Sequence, residues 1–301
     1  MLRVECRRVL TAGVVLVGLG FMQASDCGAQ DVRLLVPAYG NPFDAQGLAM
    51  WQALTDTATV VGPSLLVILN PNSGPGASPI DPNYVGPDGQ GPFIDFRNAG
   101  GVAIGYVKTL WAGRPLADAQ QDVDRYYDAA YWRGAGVQID GIFFDEMSNE
   151  LQDVGYYEAL RDYVRALDAS AHVIGNPGTS FVDTTTPSGW SISDYAESVD
   201  TLVTFESDYS TYLGNYSPPS WLASYPAERF AHIVYGVTAA QMASTLDLAR
   251  QRKAGYVYLT DDSGANPYDV LATYWTSEVD NARSVVFRDG FESGSTGAWS
   301  P

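Results

Sequence analysis

Two places in this chain set carboxylates at the end of an apolar run. Residues 141–144 read Gly-Ile-Phe-Phe, and Asp145 and Glu146 follow back to back. Further along, Thr204-Phe205 is followed by Glu206. Continuous short apolar runs read as strands buried on both faces, so these charges stand at the edge of a poorly polarisable core. A carboxyl there has two common uses. It caps the next helix, or it does acid, base or nucleophilic chemistry when unequal burial keeps one group protonated and leaves another ionised. Paired carboxyls set about 5–5.5 Å apart for retention, or about 6.5–9.5 Å for inversion, are what glycoside hydrolysis requires. Strand side chains alternate, so Asp145 and Glu146 cannot both point into one cavity while the strand stays regular. One is expected to face the mouth, where Glu206 can meet it. The other is expected to face the next loop or to lie where the strand turns.

The elements that must position these groups alternate along the chain. Strand-like runs fall at 34–36, 65–69, 102–107, 138–144, 172–175, 201–205, 230–235 and 256–259. Helical stretches are expected around 48–54, 93–98, 117–132, 156–167, 239–253 and 268–279, with Val123, Tyr126, Tyr127 and Ala130 on one helix face. Eight such units in about 250 residues predict an α/β fold, a single-domain (β/α)8 TIM barrel. An open doubly wound sheet is the alternative, and the absence of a Gly-rich dinucleotide fingerprint after the first strand weighs against it. A barrel carries its site at the carboxyl ends of the strands. There the sequence offers Tyr39, Asn70, Asn72, Tyr106, Lys108, Asn176, Tyr235 and Asp262 as substrate-binding candidates around Asp145, Glu146 and Glu206. Trp111, Tyr209, Tyr212 and Tyr258 are further aromatics near predicted strand ends or rim loops, suited to stacking on sugar rings or to core packing. Shaping a turn is the alternative use of Asn72 and Gly74, and capping the last helix that of Asp261 and Asp262.

Composition bounds the rest. The 301 residues are 46% hydrophobic, enough for a large core. Arg3, Arg7 and Arg8, an apolar run over 9–22 and a small-residue end at Cys27-Gly28-Ala29 have the layout of a secretory leader. The expected organisation is a signal peptide over 1–29, a barrel over 30–285 and a polar Gly/Ser-rich tail over 286–301. Both cysteines fall in the leader, so the remaining chain has neither disulfide nor thiolate site. Loss of the leader's three Arg and two acids takes the net charge from −18 to −19. Such a surface repels nucleic acid and anionic membrane and tolerates a cationic polymer. His172 and His232 are scattered, and His232 lies within a strand, which disfavours a histidine metal site or a Ser-His-Asp triad. No metal or cofactor is expected. No further run is long enough to span a bilayer, and the product is expected to be a monomer, extracellular or periplasmic, with the tail a candidate for surface attachment.

Several strings together resemble the spherulin-4 family: Val36-Pro-Ala-Tyr39, Ile68-Leu-Asn-Pro-Asn-Ser-Gly-Pro-Gly76, Gly105-Tyr-Val-Lys-Thr109, Gly141-Ile-Phe-Phe-Asp-Glu146, Asn176-Pro-Gly-Thr179 and Thr204-Phe-Glu206. They span about residues 33–283 in order. The resemblance implies a TIM barrel and kinship with microbial endo-acting hydrolases of galactosamine-containing exopolysaccharides. It places the family's acids on Asp145, Glu146 and Glu206. The roles expected are nucleophile or stabilising carboxylate for Asp145, acid/base for Glu206, and positioning or substrate binding for Glu146. Two other readings remain open: a non-catalytic carbohydrate-binding or surface-coat protein on the same fold, and a hydrolase in which Asp145, Glu146 and Asp262 gather a divalent metal.

Overall fold

The computed structural model describes residues 32–42, 44–76, 82–85, 91–180, 182–183 and 190–283. The leader and tail expected at the two ends lie outside these residues. Ten strands occur among them: β1 (Arg33–Ala38), β2 (Leu65–Leu69), β3 (Val102–Lys108), β4 (Gly141–Asp145), β5 (His172–Gly175), β6 (Val182–Asp183), β7 (Trp190–Ser191), β8 (Thr201–Asp208), β9 (Phe230–Tyr235) and β10 (Tyr256–Leu259). The helices are α1 (Ala45–Val61), α2 (Pro82–Val85), α3 (Pro92–Asn98), α4 (Leu116–Tyr127), α5 (Val154–Leu167), α6 (Tyr209–Gly214), α7 (Ala239–Gln251) and α8 (Trp275–Arg283).

Eight strands close into a parallel barrel in the order β1-β2-β3-β4-β5-β8-β9-β10, while β6 and β7 form a separate antiparallel pair. The predicted TIM barrel is thus the observed fold. The strands are apolar on both faces because one face fills the barrel and the other meets the helices. All five residues of β2, for example, are buried. The sequence of Leu, Val and Ile runs therefore specifies strands with no exposed side. Local signals fix the helix starts. Asp44 caps α1 by accepting from the Gly47 amide at 2.8 Å, and Thr238 and Gln241 form a capping box on α7.

Several boundaries differ from the sequence expectation by three residues or more. The helix predicted over 117–132 ends at Tyr127. Asp128 is extended and its carboxylate accepts from the Ala130 amide at 2.7 Å, a local turn that competes with another helical turn. Ala130 is consequently exposed, and the chain folds back so that Trp132 stacks on Phe93 and donates to the Pro75 carbonyl. The helix predicted from 268 begins only at Trp275, because residues before it cross the rim. The strand predicted over 138–144 starts at Gly141.

One irregularity decides where Glu206 points. β8 pairs with β9 through Val203↔Ala231 and then Phe205↔His232, so Thr204 is an extra residue in β8. Phe205 packs with Tyr212, Tyr216 and His232 in the outer layer under α6. The next residue, Glu206, faces the barrel mouth. Regular alternation from Val203 would have turned Glu206 outward. His232, buried and bonded to the hydroxyls of Tyr212 and Tyr216, is a core histidine as expected.

Gly105 in β3 is a second packing constraint near the site. A Cβ there would stand 2.8 Å from the Tyr126 ring, whose hydroxyl donates to the Tyr106 carbonyl at 2.8 Å. Gly105→Ala is expected to lower stability by about 1–3 kcal/mol through overpacking. Urea unfolding measures this, and an unchanged midpoint would show that Tyr126 moves aside freely.

Candidate active site

The site is built where β4, β5 and β8 lie side by side. Asp145 is the last residue of β4 and points inward, sharing its face with Phe143 and, across β3, with Tyr106. The Tyr106 hydroxyl donates to Asp145 Oδ2 at 2.6 Å. Asn176 immediately follows β5, and its backbone is tied to β4 at both ends. Its amide donates to the Phe144 carbonyl and its carbonyl accepts from the Met147 amide, each at 2.9 Å. Its side-chain Oδ1 accepts from the Gly178 amide at 3.0 Å. That bond sets the amide orientation, so Nδ2 is the group turned to the carboxyls. Nδ2 donates to Asp145 Oδ1 at 2.7 Å and to Glu206 Oε2 at 2.6 Å. The two carboxylate oxygens are therefore no further apart than the sum of those bonds.

The ring closes on the other side. Tyr268, in the segment after β10, donates to Glu206 Oε1 at 2.6 Å. Tyr39 packs edge-on between Tyr106 and Tyr268, with ring centroids 5.9 and 5.7 Å away. The Tyr39 amide donates to the Tyr268 carbonyl at 3.0 Å, which seats the β10 segment on β1. Asp145, Tyr106, Tyr39, Tyr268, Glu206 and Asn176 thus form a closed circuit of contacts around the mouth.

Burial raises the pKa of both carboxyls above the ordinary range. For Asp145 this is opposed by donors from Tyr106, the Glu146 backbone and Asn176, and assisted by the Glu146 charge. For Glu206 it is opposed by Tyr268 and Asn176 and assisted by the Asp145 charge. Asp145 thus has three donors to its carboxylate and Glu206 two, so the anionic form is better supported on Asp145. The phenols of Tyr39, Tyr106 and Tyr268 are raised by burial first and then by the neighbouring carboxylates, so Tyr106 and Tyr268 stay protonated as donors to Asp145 and Glu206.

Glu146 makes no side-chain hydrogen bond to this circuit but lies close enough for its charge to act on Asp145 and Tyr106. Its φ of 50° takes the chain out of the strand, and its carboxylate pairs with Lys108 at 3.0 Å. The crowding of the two acids is met by separate partners: Asp145 takes Tyr106 and Asn176, and Glu146 takes Lys108, the residue that pairs with Asp145 across β3 and β4. Asn70 accepts from the Gly74 amide at 3.0 Å and shapes the turn after β2. With Tyr39, Tyr84 and Phe93 it also lines a cavity of about 290 Å³ beside the circuit. Asn72 is exposed in the same turn. Tyr235 ends β9, half-buried, and its phenol adds to the rise at Tyr268. Asp262 is turned onto its own loop, accepting from the Ser263 amide at 2.7 Å and bonding Asp269. Asp261 holds the Thr273 amide at 3.0 Å. Tyr212 and Tyr258 are wholly buried, in packing and not at the mouth. Among the described residues no three His, Cys, Asp or Glu side chains could hold a metal ion together. Larger cavities of about 430 and 560 Å³ are lined by none of the circuit's residues. Tyr268 is the residue that sequence reasoning missed. Nothing in its spacing marks it, since it lies 62 positions from the carboxyl it contacts.

Solved structures share the barrel fold. It is similar to Sph3 of Aspergillus clavatus, solved in complex with GalNAc, with TM-score 0.65 and 22% identity over 84% of this chain and 98% of that one. It is also similar to an endo-1,4-beta-mannanase from Rhizomucor miehei, with TM-score 0.51 and 9% identity over 85% of this chain and 95% of that one. At these identities the likeness is one of fold, a TIM barrel. The sequence is more specific. The family model of Spherulation-specific family 4 matches residues 33–282, and the chain belongs to that family. Spherulin-4 of Physarum polycephalum is 27% identical over 272 residues, covering 87% of this chain and 73% of that protein.

The raised carboxyls carry a sign that stability measurements can read. A raised pKa means the folded chain holds the proton more tightly than the unfolded one. Stability therefore falls as pH climbs from about 4 through the raised values, then levels off. Glu206→Gln removes one such group. It is expected to match or exceed the unmodified protein's stability at neutral pH, with the advantage shrinking towards pH 4. Thermal melts across this range test it, and a deficit at neutral pH with no convergence in acid would contradict the sign.

Proposed function

We propose that this protein is a secreted, monomeric, endo-acting glycoside hydrolase that cleaves an amino-sugar polysaccharide of the galactosamine type. The observation that carries the proposal is the single Asn176 nitrogen bonded to both Asp145 and Glu206. It holds two carboxyls from different strands within the short separation, about 5–5.5 Å, that suits retention of configuration. The sugar class is suggested by the GalNAc complex of the similar Sph3 barrel. A net charge of −18 suits a partly deacetylated, cationic polymer. The leader-like start of the chain supports export. No helix among the described residues is long and apolar enough to cross a membrane.

In this reading Glu206 carries the proton and delivers it to the glycosidic oxygen as the bond from C1 breaks. Asp145, its charge supported by three donors, attacks C1 and forms a glycosyl ester. Water then attacks C1, Glu206 takes the water's proton, and the ester bond to Asp145 breaks. Asn176 and Tyr268 are positioning residues, each acting through the carboxyl it holds. Glu146 is a neighbour that keeps Lys108 at the rim.

Incubation with partly deacetylated galactosamine polymer is expected to release oligosaccharides that keep the anomeric configuration of the cleaved linkage, as read by proton NMR during the reaction. Asp145→Asn and Glu206→Gln should each reduce release at least a thousandfold while melting normally. Continued cleavage by both variants would overturn the assignment, and binding without cleavage by the unmodified protein would favour a carbohydrate-binding protein. Asn176→Ala is expected to lower kcat by about 100-fold with little change in KM. A change confined to KM would make Asn176 a substrate ligand instead.

A further inference from the structure

Immediately after β3 the backbone enters a conformation that ordinary residues avoid. Leu110, Trp111 and Ala112 have φ of 52°, 53° and 63° in succession. None is glycine, and left-handed residues of this kind cost about 1–2 kcal/mol each. Burial does not offset the strain, because Trp111 is 62% exposed and Leu110 is 42% exposed. What holds the turn is a set of bonds to the end of β4. The Thr109 amide donates to the Asp145 carbonyl at 3.0 Å, and the Trp111 amide donates to the Glu146 carbonyl at 2.7 Å. The Thr109 hydroxyl reaches both carbonyls at 2.8 Å. Arg114 completes the frame by donating to the Lys108 carbonyl at 2.9 Å and pairing with Asp122 at 2.6 Å. Glu146, itself left-handed, lies across from the turn. The strained turn thus ties an exposed indole to the backbone of the residue that carries the inward carboxyl.

We infer that Trp111 is a sugar-stacking platform at the β3–β4 side of the mouth, taking a hexosamine ring of the polymer outside the Asp145–Glu206 circuit. The inference rests on the proposed polysaccharide reading and deepens it. An indole supplies a flat apolar face for the apolar face of a pyranose, and its π system favours an ammonium group on the same sugar. A fixed backbone lets the ring be held at a set distance from the scissile bond, which a mobile loop would not do. A polymer long enough to reach Trp111 gains from it, whereas a fragment filling only the central circuit does not.

Calorimetric binding of partly deacetylated galactosamine polymer tests this without turnover, in the Glu206→Gln background. Adding Trp111→Ala is expected to weaken polymer binding about tenfold. Adding Trp111→Phe should retain most of it. With active enzyme, Trp111→Ala should raise KM for polymer by a similar factor and leave kcat and cleavage of short oligosaccharides unchanged. Trp111→Gly separates binding from structure: glycine relieves the left-handed strain, so its melting temperature should hold or rise while polymer affinity falls. Undiminished polymer affinity in Trp111→Ala overturns the inference and leaves the enzyme reading intact. Weakened binding by Trp111→Ala in a protein that never cleaves supports the platform and overturns only the catalytic reading. A parent protein that neither binds nor cleaves the polymer overturns both.

Discussion

One amide nitrogen organises the mouth of this barrel. Asn176 Nδ2 has two hydrogens, and each goes to a different carboxyl. Two anions so close in a half-buried site repel each other, and burial already disfavours both charges. The amide and the phenols of Tyr106 and Tyr268 supply donors that make the arrangement tolerable without neutralising it. A lysine in place of Asn176 would favour two charged carboxylates. A neutral donor leaves both charges short of full compensation, so burial and mutual repulsion keep both carboxyls above the ordinary carboxylate range. The chemistry proposed for the site depends on that incomplete compensation.

The fold serves this arrangement through local departures from regularity. An extra residue at Thr204 turns Glu206 inward. A left-handed Glu146 takes the chain out of β4 directly after Asp145 and carries its carboxylate to Lys108. The Asn176 side chain is oriented by Gly178, and its backbone is clamped to β4. Each departure gives up some ladder bonding or backbone freedom, and each lies at the same rim. At the opposite ends of the strands Asp140 and Asp200 sit in ion pairs with Arg97 and Arg165 instead. Regular barrel geometry brings β4, β5 and β8 together, and the irregularities then aim what those strands carry.

Much of this architecture was legible in advance. The runs over 65–69, 172–175, 230–235 and 256–259 matched observed strands because two-sided burial writes itself as uninterrupted Leu, Val, Ile and aromatic residues. Tyr106, Asp145, Asn176 and Glu206 could be picked out because polar residues ending such runs must lie at one rim of a barrel. Helix ends were less legible. At Asp128 a side-chain bond to a nearby amide outcompeted the continuing apolar pattern, and before Trp275 a segment with helical periodicity was drawn across the rim to pack Tyr268 on Tyr39. Tyr212 looked like a rim aromatic and proved to be outer-layer packing against His232, because its helix is short and folds directly over β8 and β9.

The sequence by itself determined the succession of buried strands, hence the barrel, and which acids stand at strand ends, because those properties follow from burial pattern along neighbouring residues. Only the tertiary structure decided that Asp145 joins Tyr106 and Asn176 while Glu146 takes Lys108, that Glu206 faces inward despite strand alternation, and that Tyr268 completes the circuit. These outcomes depend on contacts between residues 30 to 62 positions apart. Their geometry exists only once the barrel has closed and one extra residue has shifted the phase of a strand.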